Sequence, residues 1–277
     1  MKLFKTIKEI YLKTDASVYK VESDWDTLIN RENLYQHLTA IIATAKKVTD
    51  KNWQANLQAP VGKQEIWAAG VTYLQSRDAR VEESQESGGS DLYKRVYDAD
   101  RPELFFKSTP YRVVGHLQDV SIRKDSTWNV PEPELTLFIN SQGNIQGYTI
   151  GNDMSSRSIE GENALYLPQA KTYDKSAAVG PCLTVLPSAI SQETKISIVI
   201  KRGGIALYEG STPLSRMKRT LPELAGFLFR ELSFEHGAYL MTGTCLVPPN
   251  DFTLQPGDVV DISIDGIGTL SNTVAYN

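Results

Sequence analysis

Two glutamates, Glu132 and Glu134, stand two residues apart where "WNVPEPELTLFIN" passes from a proline-broken loop into an apolar strand. Successive strand residues point to opposite faces. The pair therefore shares one face, and Leu135 and Leu137 share the other, the expected core side. The strand ends at "NSQGN", a turn signal, and "IQGYTI" reads as the return strand of a hairpin. A turn centred near Gln142–Gly143 sets Asp153 opposite Glu132, and directly opposed residues share a face. A slip of one residue would scatter the three acids, so their meeting depends on the turn.

Two carboxylates about 4 Å apart repel by about 4 kcal/mol at an effective dielectric of about 20. A favourable cross-strand pair contributes only about 0.2–1 kcal/mol. Three clustered acids therefore need protons or a cation. All-oxygen ligands favour Mg²⁺, with Mn²⁺ or Ca²⁺ as alternatives, over zinc. Three protein ligands leave positions open for water or substrate. An E-x-E pair alone reads more readily as solvated acids at a sheet edge, and the hairpin brings the two readings level. Pro131 and Pro133 remove backbone donors at the strand mouth, which is expected to be unpaired and open to a pocket.

The elements that must position these acids belong to a chain of 277 residues. Residues 1–62 read as a small N-terminal α/β unit. "LFKTIKEIYLK" and "ASVYKV" form short strands, "ENLYQHLTAIIATAKK" has helical spacing, and "QAPVGKQ" is a linker. Residues 63–277 read as a strand-dominated α+β domain, with helical segments only around 74–84, 155–162 and 220–232. The polar stretch 81–91, "VEESQESGGSD", reads as a surface loop, either a connector or a lid.

The net charge is -4, from 29 basic against 33 acidic residues, which argues against nucleic-acid or anionic-membrane partners. The start is broken by charge and no long apolar run follows, so neither a signal peptide nor a membrane span is expected. Cys182 and Cys245 are far apart and read as reduced buried thiols, which suits a cytoplasmic protein. His37, His116 and His236 are scattered and read as structural or surface residues. "KRGGIALY" reads as a hairpin turn, not a phosphate loop.

The segments "PEPELTLFI", "YTIGNDMSSRSIE", "LPQAKTYD", "AVGP", "LMTGTCLV" and "LQPGDVVDISIDGIGTLSN" follow the order seen in the fumarylacetoacetate hydrolase family. The resemblance covers roughly residues 64–275. It implies a mixed β-roll, a homodimer or homotetramer, and a divalent metal on Glu132, Glu134 and Asp153. Within the family, "YDADRPELFFKSTPYRVVGH", "STWNVPEPEL", "EGENALYLPQAK" and the opening "MKLF" are similar to the sugar-acid dehydratases. Hydrolase members carry a lid histidine and glutamate after a "G-x-x-Y" stretch. Here, in "GVTYLQSRDAR", Ser76 and Ala79 stand at those places. That departure speaks against C–C bond hydrolysis and for elimination.

The activity this resemblance implies is dehydration of a small 2-oxo acid, a 2-keto-3-deoxy pentonate of the D-arabinonate type, to 2-oxoglutarate semialdehyde. Lys171 would serve as base at C3 or as a positive contact to substrate oxygen, and Glu103 would transfer a proton at C4. Lys107, four residues from Glu103 on the same strand face, joins Gln169, Thr244, Tyr73 and Arg77 as candidate substrate contacts. Arginine suits bidentate carboxylate binding. Asp153 also reads as a helix N-cap, a weaker reading than metal ligation. The alternatives are an acylpyruvate-type hydrolase or oxaloacetate decarboxylase, and, outside enzymes, a metal-binding homologue that has lost catalysis. Retention of Lys171 beside the three acids speaks against the last.

Overall fold

The computed structural model describes residues 1–50, 52–75 and 90–277. The early strands are β1 (Lys2–Lys5), β2 (Ile10–Lys13), β3 (Val18–Val21), β4 (Glu65–Gly70) and β5 (Glu103–Ser108). Short strands follow: β6 (Val113–Val114), β7 (Val120–Ile122) and β8 (Asn129–Val130). The hairpin is β9 (Pro133–Ile139) and β10 (Ile145–Asp153), with β11 (Ser155–Ser156) and β12 (Ala177–Thr184) next. The remainder are β13 (Lys195–Arg202), β14 (Ile205–Pro213), β15 (Ala238–Met241), β16 (Val259–Ile264) and β17 (Gly268–Tyr276).

A ten-stranded mixed sheet runs β3-β2-β1-β12-β10-β9-β15-β4-β5, with β6 pairing β12 off this path. A five-stranded sheet runs β14-β13-β16-β17-β7, and β8 pairs with β11. The first three strands continue the large sheet, because β1 lies against β12 with Leu3 opposite Leu183. Helices are few, as expected for a strand-dominated α+β chain. Leu34–Ile42 and Leu221–Leu228 are among them, the latter begun by a capping box between Thr220 and Glu223. Ser90–Asp98 and Leu167–Lys171 are helices that hydrophobic spacing does not disclose. The expected helix at 74–84 and the loop at 81–91 fall largely on residues 76–89, outside the described residues. No described helix is long and apolar enough to cross a membrane. Both cysteines are free. Cys182 is buried, which pushes its thiol up to about 11.

The hairpin turn is built by one asparagine and one glycine. Asn140 Oδ1 accepts from the amides of Gln142 at 3.2 Å and Asn144 at 2.8 Å. Gly143, at φ +83°, takes a left-handed conformation that a side chain would strain. After a shift between Ile145 and Gly147, the register sets Leu137 opposite Tyr148 and Glu134 opposite Gly151.

Two expectations need correction. The strand mouth is paired: Pro133 lies opposite Asn152, Asp153 N–H donates to the Glu132 carbonyl, and Val130 pairs with Ser155. The leucine face is also not the sole core face. Leu135 and Leu137 pack with Ile198 and Ile262 of the small sheet. The glutamate face runs on into Phe138, buried with Tyr239, Met241, Leu28 and Leu34. Strand β9 thus lies in the middle of the large sheet with an apolar cluster on each side, which is why every residue in it is buried.

Candidate metal and catalytic site

The hairpin delivers its acids together. Glu132, Glu134 and Asp153 are all buried, and one ligand oxygen from each lies within 4.8 Å of the others. Buried charges demand partners, and each acid has a different set. Glu132 Oε1 receives Arg157 Nη2 at 2.9 Å, and its Oε2 receives Lys171 Nζ at 2.7 Å. Asp153 Oδ1 pairs with Lys107 Nζ at 2.5 Å, and its Oδ2 with Lys171 Nζ at 3.1 Å. Glu134 Oε2 accepts from the Gly243 amide at 2.5 Å. Gly243 holds that direction at φ +93°, and a Cβ there would come within 2.0 Å of Thr72 Oγ1.

The electrostatics are uneven. Burial, then repulsion from Asp153 and Glu132, holds Glu134 well above the usual carboxylate range. Burial also pushes Asp153 upward, but the Lys107 and Lys171 ammoniums outweigh it and leave the carboxyl below its ordinary value. Burial lowers Lys107 against the pull of Asp153. Its geometry is that of an ammonium, since besides Asp153 it donates to the carbonyls of Met154, at 2.9 Å, and Lys171. The faces of Phe105 and Tyr173 back the two lysines, each ring centroid 5.8 Å from the nearer Nζ.

The candidate residues named from sequence divide into groups. Lys171 and Thr244 line one pocket with the three acids, together with Arg157 and Phe105. Glu103 is not itself a lining residue; it lies opposite the lining residue Gly70, its carboxylate so close that a Cβ on Gly70 would meet Oε2 at 2.0 Å. Lys107 does not share its placement. It is the residue skipped where the register shifts between β4 and β5, and a bulge re-aims its side chain. With its hydrogens given to Asp153, Met154 and Lys171, it is the counter-ion of Asp153 and not a contact open to substrate. Gln169 is exposed and does not line the pocket. It precedes Lys171 by two residues on a helix, where such neighbours do not share a face. Tyr73 is fully buried, and burial raises its phenol. Arg77, Ser76 and Ala79 lie outside the described residues. Asp153 ends a strand, and the helix Arg157–Glu162 has Ser156 at its N-cap position, so the capping role falls away.

Sequence reading missed Arg157, Ser155 and Glu160, all buried. All three are inside the quoted "NDMSSRSIE", so the signal was their closeness to Asp153 in a segment that must return past the same strand end. The donor set suits a hard divalent cation. It is all oxygen, and the repulsion that raises Glu134 is what such an ion would relieve. Among the described residues, Lys107, Lys171 and Arg157 are the cations paired with Glu132 and Asp153.

Residues 65–275 match the fumarylacetoacetate hydrolase C-terminal family. This chain belongs to the fumarylacetoacetate hydrolase family. A probable 2-keto-3-deoxyxylonate dehydratase of Haloferax volcanii is 47% identical over 265 residues, spanning 95% of this chain and 88% of that protein. The 2-dehydro-3-deoxy-D-arabinonate dehydratase of Saccharolobus solfataricus is 36% identical, spanning 99% and 96%. Among solved structures, a 2-keto-3-deoxy-D-arabinonate dehydratase complexed with magnesium and 2,5-dioxopentanoate superposes with a TM-score of 0.87. It is 33% identical and covers 100% of this chain and 99% of that one. Family membership accounts for the mixed strand-dominated fold.

Proposed function

We propose that this protein dehydrates a 2-keto-3-deoxy pentonate to 2-oxoglutarate semialdehyde, with Mg²⁺ held by Glu132, Glu134 and Asp153. The observation that carries the reading is the pairing of Lys171 with Glu132 and Asp153 in this pocket, with the Glu103 carboxylate held against the lining residue Gly70. The dehydratase relatives support it. A bound divalent ion supplies Lewis acidity, which acidifies the hydrogens beside the 2-oxo group. Lys171 is assigned the C3 proton and Glu103 the proton that leaves with the C4 hydroxyl as water. The resulting C3–C4 alkene shifts to the C4–C5 enol, with C5 losing a proton and C3 gaining one, and the enol becomes the aldehyde. No outside oxidant is needed. Arg157 keeps Glu132 oriented from the side away from Lys171. Thr244 stands on the pocket wall as a contact for the substrate carboxylate.

The test is turnover with Mg²⁺ on a panel of 2-keto-3-deoxy sugar acids, acylpyruvates and oxaloacetate. Semialdehyde formation is expected. Release of pyruvate with no semialdehyde would assign the site to hydrolysis or decarboxylation. The proposal includes a homodimer or homotetramer, and light scattering on the full chain decides it.

A further inference from the structure

Lys171 presents a difficulty that its assigned role does not resolve. Its Nζ has an acceptor for each hydrogen: Glu132 Oε2 at 2.7 Å, Asp153 Oδ2 at 3.1 Å and Ser155 Oγ at 2.5 Å. An amine bound in this way offers a substrate neither a lone pair nor a spare donor. Two of those acceptors are oxygens of the trio that would hold the divalent ion. The ammonium therefore lies where the attraction for a cation is greatest. A divalent ion and an ammonium drawn to the same pair of oxygens repel each other strongly in so buried a place.

Ser155 differs from the other two acceptors. It is neutral and fully buried, and its hydroxyl donates to the Asp153 carbonyl at 3.0 Å. That bond fixes the hydroxyl hydrogen and leaves a lone pair turned to Nζ. Phe105 lies on the same wall with its ring facing Nζ. Both groups remain available when the carboxylate oxygens are taken.

We infer that Lys171 is an internal placeholder cation: its ammonium bridges Glu132 and Asp153 until a divalent ion takes those oxygens, and Nζ is then retained by Ser155, free of the carboxylates. With Lys107 and Arg157, the arrangement accounts for how buried Glu132 and Asp153 are tolerated in the metal-free chain. It also makes ion binding the event that releases the lysine for chemistry. The inference rests on the reading of the trio as an ion site, and not on which 2-oxo acid is the substrate.

The test is calorimetric titration of the full-length protein with MgCl₂, without substrate, at one pH. Lys171→Met and Lys171→Gln should bind Mg²⁺ at least about tenfold tighter than the parent protein, and Lys171→Arg, which keeps the charge, should not. Equal or weaker binding by both neutral variants overturns the placeholder. Melting curves at rising Mg²⁺ cover the case of a neutral variant that folds poorly alone. Mg²⁺ must then raise its Tm by more than it raises the parent's, and a smaller rise also overturns the inference. For the serine, Ser155→Ala should lower kcat with KM unchanged, and Ser155→Thr should restore it; an unchanged kcat removes Ser155 from the scheme. The titrations read out even if no 2-oxo acid is turned over, so failure of the dehydratase proposal and failure of this one are separable.

Discussion

The amide of Asp153 donates to the carbonyl of Glu132 at 3.0 Å, one step beyond the last register pair of the β9–β10 hairpin. That single backbone bond carries the two carboxylates to the same place. The side chains then share one ammonium, Lys171, between them. The site is therefore a product of strand register, and its charge is the property most open to experiment.

Glu134→Gln removes a charge that burial and two neighbouring acids disfavour while leaving an oxygen for the Gly243 amide. The metal-free variant should melt above the parent. Its Mg²⁺ affinity should fall by more than about tenfold, because a ligand with full charge has gone. Scanning fluorimetry with and without MgCl₂ reads both. An unchanged affinity would remove Glu134 from the ligand set.

The pH response follows from the opposite shifts of two acids. Glu134 is raised above its ordinary 4.5, so its contribution to metal-free stability is full below that value and is lost as pH rises through the raised one. Asp153 is lowered below 3.8, so its contribution is present above that value and is lost as pH falls through the depressed one. Above 4.5, then, Glu134 is the member of this pair that changes the balance. Mg²⁺ requires its ionised form. The Tm rise at fixed Mg²⁺ should grow with pH over this range, and a flat or falling response contradicts the assignment.

Lys107→Met leaves Asp153 buried beside one ammonium in place of two, since both partners are fully enclosed. Loss of one side of such a pair costs about 3–5 kcal/mol. Urea unfolding near neutral pH should show a loss of that order. A loss below about 1 kcal/mol would mean that Lys107 is not the counter-ion it is described as.

Gly70→Ala tests Glu103 without touching it. The new Cβ would displace the end of a flexible side chain, so the fold should tolerate it. Melting is expected to stay within a few degrees while kcat drops by about a hundredfold, the scale of a misplaced general acid. Wild-type turnover would exclude Glu103 from proton transfer.

The acid trio was legible because strand periodicity is short-ranged. Residues two apart share a face, "NSQGN" closes the turn, and Asp153 then has one place to go. The counter-ions were less so. Lys107 is re-aimed by a one-residue bulge, and Arg157 comes from a short helix after the hairpin. The burial of both faces of β9 was hidden because Glu134 and Thr136 made Phe138 look incidental on a polar face. Gln169 was misplaced for a related reason, since the five-residue helix that presents Lys171 inward turns its neighbour out. Long-range pairing chose these outcomes, and no local spacing encodes it.

Because β9 and β10 run through the middle of the large sheet between two apolar clusters, they cannot move without disturbing packing on either side. The acid trio is thereby fixed in place, while Gly70, at the end of β4, and Thr244, in the segment after β15, line the pocket from outside the hairpin. Descent with modification should show the same division. Substrate preference would diversify through the rim, and the ion-holding hairpin would pass between lineages almost unaltered.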